Sequence, residues 1–354
     1  MSDAARLSDQ GHALLEAGRY DEAAACLDQA HALAPDDALI HYRLGLLYGD
    51  TDRPAAALAA FDAALVFDPA NARAHNNRGS ALQLLERPAD AKAAFERALA
   101  LDPLLAPPRL NLGHLLEADD PAAAIILYEE ALALGVEPEL FAHHLAAARG
   151  RTTPRAAAAW VRATFDNFAP AFDRQLAALE YDVPRQLVAL LRPHDRASDV
   201  LDLGCGTGLV GAALSGYQHR IVGIDLADKM LARARERAVY ARLENAELHE
   251  WLAAAPAAAF DIVVAADVLI YIGALEELFV GVARVLRHAG QFAFSTEECE
   301  TGYELRPSGR YAQAREYVAQ SGADLFTTLQ TREVALRQEA GVPLAGRLYL
   351  LQRL

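Results

Sequence analysis

Four glycines, Gly11, Gly45, Gly79 and Gly113, stand 34 residues apart in the first third of the chain. A fixed period of this length marks a stacked helix–turn–helix solenoid, whose units bury their apolar faces only against their neighbours. More than glycine carries the period. Ala23, Ala57 and Ala91 recur at the same step, as do Leu27, Phe61 and Phe95, then Ala30, Ala64 and Ala98, and Pro35, Pro69 and Pro103. The small residues let the two helices of a unit approach closely, and the Leu/Phe series fills the space between units. Asp36, Asp68-Pro69 and Asp102-Pro103 stop the second helix, which proline cannot continue. Such an array is a scaffold for binding, so chemistry belongs further along the chain.

Over residues 4–138 the pattern resembles the tetratricopeptide repeat family. The tryptophan common at the fourth position of that repeat is replaced by Leu7, His41, His75 and Arg109. The fourth unit is one residue short, so Ala124, Tyr128 and Ala131 carry its pattern, and Pro138 ends it. Residues 139–149 read as an amphipathic capping helix and 150–154 as a linker. This divides the chain into a repeat array with its cap, 1–150, and a second domain, 151–354. By the resemblance, the first helix of each unit lines a concave groove for a protein or peptide partner. Groove candidates are Tyr42, Leu46, Arg73, Asn76, Ser80, Gln83, Leu110, His114 and Glu117, while Asn77 and Asn111 are open to either a peptide-clamp or a structural role. Adjacent His143 and His144 point apart on a helix, so we expect cap surface there and no metal site.

Charge separates the two parts. Residues 1–150 hold 23 Asp and Glu against 11 Lys and Arg, a net of −12, and residues 151–354 hold 25 against 22, a net of −3. Duplex nucleic acid and anionic membranes need a basic face, so neither is expected as a partner. The acidic array suits a partner with a basic patch, or serves solubility. Three scattered cysteines, Cys26, Cys205 and Cys299, make neither a disulfide framework nor a zinc site. With no signal-like leader and no run of eighteen apolar residues, a cytoplasmic protein is expected.

Residues 199–225 concentrate the chemistry. Asp199–Leu203 is an apolar strand, Gly204–Gly208 a tight turn, Leu209–Leu214 the start of a helix, and Arg220–Asp225 a second strand with an acidic tip. Glycines let the backbone approach a nucleotide, and an acidic tip accepts two ribose hydroxyls. Gly206–Gly211 also matches the dinucleotide fingerprint. Against that reading, Asp202 just before the glycines would repel a pyrophosphate but help hold the ammonium of a methionine moiety. The pattern Asp202-Leu203-Gly204-Cys205-Gly206-Thr207-Gly208 resembles the class I S-adenosylmethionine-dependent methyltransferase family.

That resemblance implies an α/β Rossmann-like domain with a seven-stranded mixed sheet behind the all-α solenoid, and S-adenosylmethionine as cofactor. It places Asp202, Gly204, Cys205, Gly206, Thr207 and Gly208 around the cofactor. Asp225 becomes the ribose clamp, with Leu226 and Met230 near the adenosine. Ala246-Glu247-Leu248 resembles the end of the third strand, where a carboxylate reads the adenine amino group; Glu247 takes that role, with His249 or Glu250 as alternatives. The run Phe260–Ile272 reads as a strand buried on both faces entering an active-site loop with Asp267 and Val268, Asp267 being also a candidate helix cap. Phe165, Phe168 and Phe172, within the segment 165–173, resemble a lid laid over the cofactor, or else join linker to core. The hairpin of Thr331–Gln338 and Gly346–Gln352, turning at 341–343, would add one antiparallel strand.

The chemistry implied is in-line displacement at a sulfonium methyl, where positioning supplies much of the rate. Amine or carboxylate nucleophiles need no strong base; for a phenol or alcohol the candidates are His249, His288, Tyr271 and Tyr311. Arg306, Arg310 and Tyr311 lie where related enzymes build the acceptor pocket. No Asn-Pro-Pro-Tyr-type motif follows the fourth strand, which disfavours amide or nucleobase amino acceptors. The alternative reading is an interaction protein whose methyltransferase-like domain binds cofactor without turnover.

Overall fold

The computed structural model describes residues 2–117, 119–169, 172–191, 197–216, 219–339 and 342–354. The chain separates into two compact units, Met1–Ala148 and Arg149–Leu354.

In the first unit helices pair in sequence. They are α1 (Asp3–Glu16), α2 (Tyr20–Leu33), α3 (Ala38–Asp50), α4 (Pro54–Phe67), α5 (Ala72–Leu84), α6 (Pro88–Leu101), α7 (Ala106–Leu116), α8 (Pro121–Ala133) and α9 (Pro138–Ala148). The periodic residues are its core: Ala23, Leu27, Ala30, Ala57, Phe61, Ala64, Ala91, Phe95, Ala98, Ala124, Tyr128 and Ala131 are all buried. A Cβ built on Gly79 would lie 2.5 Å from Phe95 Cε1, and one on Gly45 2.4 Å from Phe61 Cε1. The 34-residue glycine series is therefore a record of close approach between paired helices. Three of the four residues replacing tryptophan have a shared task. His41 Nε2 lies 2.7 Å from the Pro35 carbonyl, His75 Nε2 3.1 Å from that of Pro69, and Arg109 Nη2 donates to Pro103 at 2.7 Å. Since a carbonyl only accepts, each histidine donates from Nε2 and ties the preceding turn to the new helix.

Several groove candidates are committed within the array. Asn77 donates to the Tyr42 hydroxyl at 3.2 Å, Asn76 to Asn77 at 3.0 Å, and Asn111 to Asn76 at 3.0 Å, with the Ser80 hydroxyl 3.5 Å away. Asn76 is buried in this ladder, whereas Arg73 and His114 are exposed. The expectation of cap surface at His143 and His144 is corrected: they are 5% and 2% exposed. His144 turns back to meet His114 on α7, and its burial, with the neighbouring His114 and His143, drives its pKa down to about 2. His114 keeps an exposed face, but burial of its ring against its neighbours lowers its pKa as well.

The second unit opens with α10 (Ala158–Phe168), α11 (Phe172–Ala178) and α12 (Val183–Leu190), then alternates strands and helices. These are β1 (Asp199–Leu203), α13 (Leu209–Leu214), β2 (Arg220–Asp225), α14 (Asp228–Glu236), β3 (Arg242–Asn245), α15 (Leu248–Ala254), β4 (Phe260–Ala265), a 3-10 turn (Leu269–Tyr271), α16 (Glu276–Val285), β5 (Leu286–Glu298), β6 (Tyr303–Leu305), β7 (Tyr311–Gln313), α17 (Arg315–Ser321), β8 (Phe326–Glu339) and β9 (Val342–Arg353). Strands β3-β2-β1-β4-β5 are parallel in that order; β9 runs antiparallel beside β5, and β8 pairs β9. These seven make the expected mixed sheet with one reversed strand. The hairpin β6–β7 is additional: β7 pairs with Glu297 and Glu298, past the end of β4. The strands beneath are apolar on both sides, with Val200, Leu201, Leu203, Val263, Val264, Phe292 and Phe294 buried, as strands covered on two faces require. Of the turn anticipated at 341–343, Gly341 lies outside the described residues, as do Pro170 and Ala171 of the segment 165–173.

The packing account separates two glycines. Gly79→Ala forces overpacking that costs ~1–3 kcal/mol, while Gly49→Ala in α3, with nothing within 4 Å, gains up to ~1 kcal/mol of helix propensity. Urea unfolding should show opposite signs, and equal signs would refute the close-approach role of the series.

Candidate active site

At the C-terminal edge of β1 the chain turns sharply. Gly204, Gly206 and Gly208 take φ of +62°, +54° and +89°, the left-handed region in which only glycine is at ease. A Cβ on Gly204 would strike Val268 Cγ2 at 2.6 Å and one on Gly208 would strike Tyr240 Cε2 at 2.9 Å. One on Gly206 meets nothing within 4 Å, so this glycine borders open space. The loop is tied to β2 twice: Cys205 N donates to Ile224 O at 2.9 Å, and Gly206 N to Asp225 Oδ2 at 2.9 Å. The other Asp225 oxygen accepts from Ala227 N at 2.8 Å. Burial raises the Asp225 pKa, and these backbone donors oppose the rise. Burial also pushes up the Cys205 thiol, which stays protonated.

Asp202 is the most unusual group here. Its carboxyl is fully buried. Oδ2 accepts from the Tyr240 hydroxyl at 2.6 Å, while Oδ1 has no partner among the described residues. Burial, helped by the charge of Asp225, pushes its pKa up to about 7 against the hold of Tyr240. Tyr240 also accepts from Gly211 N at 3.2 Å, so it joins the glycine turn, α13 and the carboxylate. Nothing in local spacing marks Tyr240, 38 residues from its partner.

Beyond β2, Met230 is buried and packs with Ala169 and Ala227, against which Phe165 and Phe172 lie. Phe165 meets Phe172 edge-on at 6.0 Å and Tyr271 at 5.3 Å. Polar contacts hold the same covering helices down. Asp166 accepts from Lys229 N at 3.0 Å, Asp173 accepts from the Thr207 hydroxyl and from Arg237, and Arg162 donates to Leu226 O at 3.3 Å. Phe168, 47% exposed, takes no part in this cluster. The third strand ends at Asn245, not at 246–248. Glu247 instead caps α15, accepting from Glu250 N at 2.8 Å and lying 3.0 Å from His249 Nδ1, so both its oxygens are engaged. Leu248 packs against the main core. Asn245, opposite Asp225 in register, bonds Leu226 O and Asp228.

The far side of the sheet edge holds a charged network. Asp267 sits at φ +54°. Its N–H donates to Ser295 Oγ at 2.8 Å, the Ser295 hydroxyl donates to its Oδ1 at 2.7 Å, and Arg337 Nη1 lies 3.4 Å from its Oδ2. Arg337 also donates to Glu297 at 2.7 Å, and Arg306 reaches Glu297 at 3.1 Å. The helix-cap alternative for Asp267 is thereby removed. Burial raises the pKa of Tyr271, whose hydroxyl is met by Arg310. Tyr311 is buried, its hydroxyl against Thr153 Oγ1, and His249 is buried beside Glu247. A cleft lined by Asp199, Arg220, Arg242, Trp251 and Arg287 opens at the opposite, N-terminal edge, away from where open α/β sheets bind ligands.

Residues 200–290 match the family model described as a methyltransferase domain, and residues 11–52, 38–71 and 72–103 match models of the tetratricopeptide repeat. The chain therefore carries tetratricopeptide repeats followed by a methyltransferase domain. Among curated relatives, it is 29% identical over 183 residues to the biotin biosynthesis bifunctional protein BioHC of Saccharophagus degradans, covering 50% of this chain and 32% of that protein. It is 31% identical over 167 residues to a malonyl-[acyl-carrier protein] O-methyltransferase of Methylovorus, covering 42% and 54%. The chain thus spans about half or less of the length of these relatives. A solved structure, the Burkholderia thailandensis 1,6-didemethyltoxoflavin-N1-methyltransferase with S-adenosylhomocysteine, aligns with a TM-score of 0.46 and 19% identity, over 57% of this chain and 91% of that one.

The side chains present suit S-adenosylmethionine. An orphaned buried carboxylate oxygen awaits a cation, space adjoins Gly206, and the Asp225 carboxylate keeps lone pairs beyond its two backbone bonds.

Asp202 makes a signed pH prediction. Unfolded, its pKa is about 3.9; folded, about 7. Between these values the folded chain keeps a proton that the unfolded chain has lost, so stability falls as pH rises through the window. With no cofactor present, Asp202→Asn should stabilise the protein by on the order of 2–4 kcal/mol at about pH 8, and hardly at all near pH 4. A variant less stable than wild type at the higher pH in urea unfolding would refute the buried-charge account.

Proposed function

We propose that this chain is an S-adenosylmethionine-dependent methyltransferase of the cytoplasm whose repeat array recruits a protein or peptide partner. Oδ1 of Asp202, without a partner among the described residues, carries the reading, because a buried carboxylate in search of a cation fits the ammonium of a methionine moiety and disfavours a pyrophosphate. In this reading Asp202 holds that ammonium, directly or through water, and Gly204, Cys205, Gly206, Thr207 and Gly208 supply the backbone against which the cofactor lies. Asp225 accepts the ribose hydroxyls, and Leu226 and Met230 flank the adenosine. Val268, pressed on Gly204, fixes the mouth of the loop. Phe165 and Phe172, pinned through Asp166 and Asp173, exclude water from the transfer. When bound, the cofactor supplies a methyl group on a sulfonium, which needs no further activation.

The acceptor enters at the end of β4 and β5, bordered by Asp267, Tyr271 and Arg310. Three of the four candidate bases are engaged: His249 by Glu247, Tyr311 by Thr153 and Tyr271 by Arg310. This favours a nucleophile that needs no strong base, a carboxylate or an amine, on a small molecule or a protein. The O-methyltransferase relative, named for malonyl-[acyl-carrier protein], agrees with a carboxylate. The acidic array, net −12 over residues 1–150, suits a partner with a basic surface; neither nucleic acid nor membrane is expected.

Asp225→Ala should weaken S-adenosylmethionine binding by ~1–3 kcal/mol, the scale of losing charge-assisted hydrogen bonds, in calorimetric titration. Unchanged affinity would remove Asp225 from the site. A chain of residues 149–354 should bind the cofactor as the whole chain does, and failure would overturn the division into a binding array and an independent catalytic domain.

A further inference from the structure

The last repeat brings together three side chains that the methyl-transfer reading leaves unused. His114 lies on α7, with Glu117 three residues on and so on the same helical face; His144 comes from α9. His114 Nε2 lies 3.4 Å from His144 Nδ1, and donor atoms from all three residues fall within 4.8 Å of one another. We propose that His114, Glu117 and His144 form a binding site for a zinc-type divalent cation in the repeat array.

Three observations converge. First, the nitrogen pair is long for a hydrogen bond, but two nitrogens bound at about 2.0–2.1 Å to one tetrahedral ion stand about 3.3 Å apart. The two imidazoles are thus already spaced as one edge of the tetrahedron, and Glu117, with a carboxylate oxygen within 4.8 Å of both, closes the site with a side-chain movement of about 2 Å or less. Second, the ligands are held from behind. The Tyr128 hydroxyl donates to Glu117 Oε1 at 2.8 Å, the outer-shell contact that orients a ligating carboxylate. Tyr128 is itself fully buried beneath Gly113, where a Cβ would lie 2.3 Å from its ring. The ring of His144 is set by edge contacts with His114 at 4.8 Å and by Tyr128 at 5.8 Å. Third, the donor set selects the ion. Two imidazoles and a carboxylate suit zinc, with a fourth position left for water or a partner's side chain, whereas calcium and magnesium take oxygen ligands. Exposed His114 gives the ion a path in, and the acidic array draws cations towards it.

The site is independent of the cofactor reading and fails or holds without it. The test uses the full chain, free of any histidine tag, stripped with chelator and titrated with Zn2+ by calorimetry and with Co2+ by visible absorption. One tight zinc equivalent is expected, along with the intense visible bands of tetrahedral cobalt in a nitrogen–oxygen field. His114→Ala and Glu117→Gln, both at positions outside the buried core, should each weaken zinc at least ~10-fold and abolish the zinc-dependent rise in thermal midpoint. Circular dichroism of the metal-free variants checks that they fold. The proposal is overturned if wild type binds no zinc, or if folded variants bind it as tightly as wild type. Should both variants unfold, wild-type cobalt spectra decide: weak octahedral bands or a thiolate charge-transfer band would also overturn it.

Discussion

The organisation of the second unit turns on one buried carboxylate. Asp202 gives up its hydration inside β1 and, among the described residues, its carboxyl receives a single hydrogen bond in return, from Tyr240. An isolated buried charge is costly, and its pKa near 7 expresses that cost. Around it the three left-handed glycines keep side chains away from the loop, and Tyr240 links the carboxylate to the amide of Gly211. A methionine ammonium placed at Oδ1 would complete the group and pull it back to its charged form. In the proposed reading, folding stability is exchanged for affinity, a trade that recurs at sites where a ligand supplies what the protein lacks.

Much of this was legible in the chain itself. The 34-residue period predicted the helix pairs and most of their buried residues, because stacking repeats impose the same packing demand at the same place each time. The glycine turn and the acidic tips at Asp202 and Asp225 were legible for a related reason: backbone conformation and strand ends are local properties. What escaped were contacts between distant segments. Tyr240 and Arg337 reach their carboxylates from 38 and 70 residues away, and no periodicity announces them. The end of the third strand was placed two residues late, at 246–248, because the carboxylate just past this short strand is the cap of the next helix. His143 and His144 were read as surface because adjacent helical residues diverge; the neighbouring helices cover both directions.

The array and the catalytic unit solve different problems with the same residue types. In the array, asparagines and histidines close gaps between repeats, through the Asn76–Asn77–Asn111 ladder and the His41 and His75 bonds to turn carbonyls. In the α/β unit, Asp202 Oδ1 near the end of β1 is left without a partner among the described residues, and the covering helices are pinned there by Asp166 and Asp173. Structure accounts for the first set without a ligand. The second asks for one.

The central claim is that Asp202 and the glycine turn select a cationic sulfonium cofactor over a dinucleotide. Calorimetric titration of the full chain with S-adenosylmethionine and, separately, with NAD tests it most directly. The account predicts saturable micromolar binding of S-adenosylmethionine and none of NAD. Binding of NAD, or no heat with S-adenosylmethionine, would contradict it.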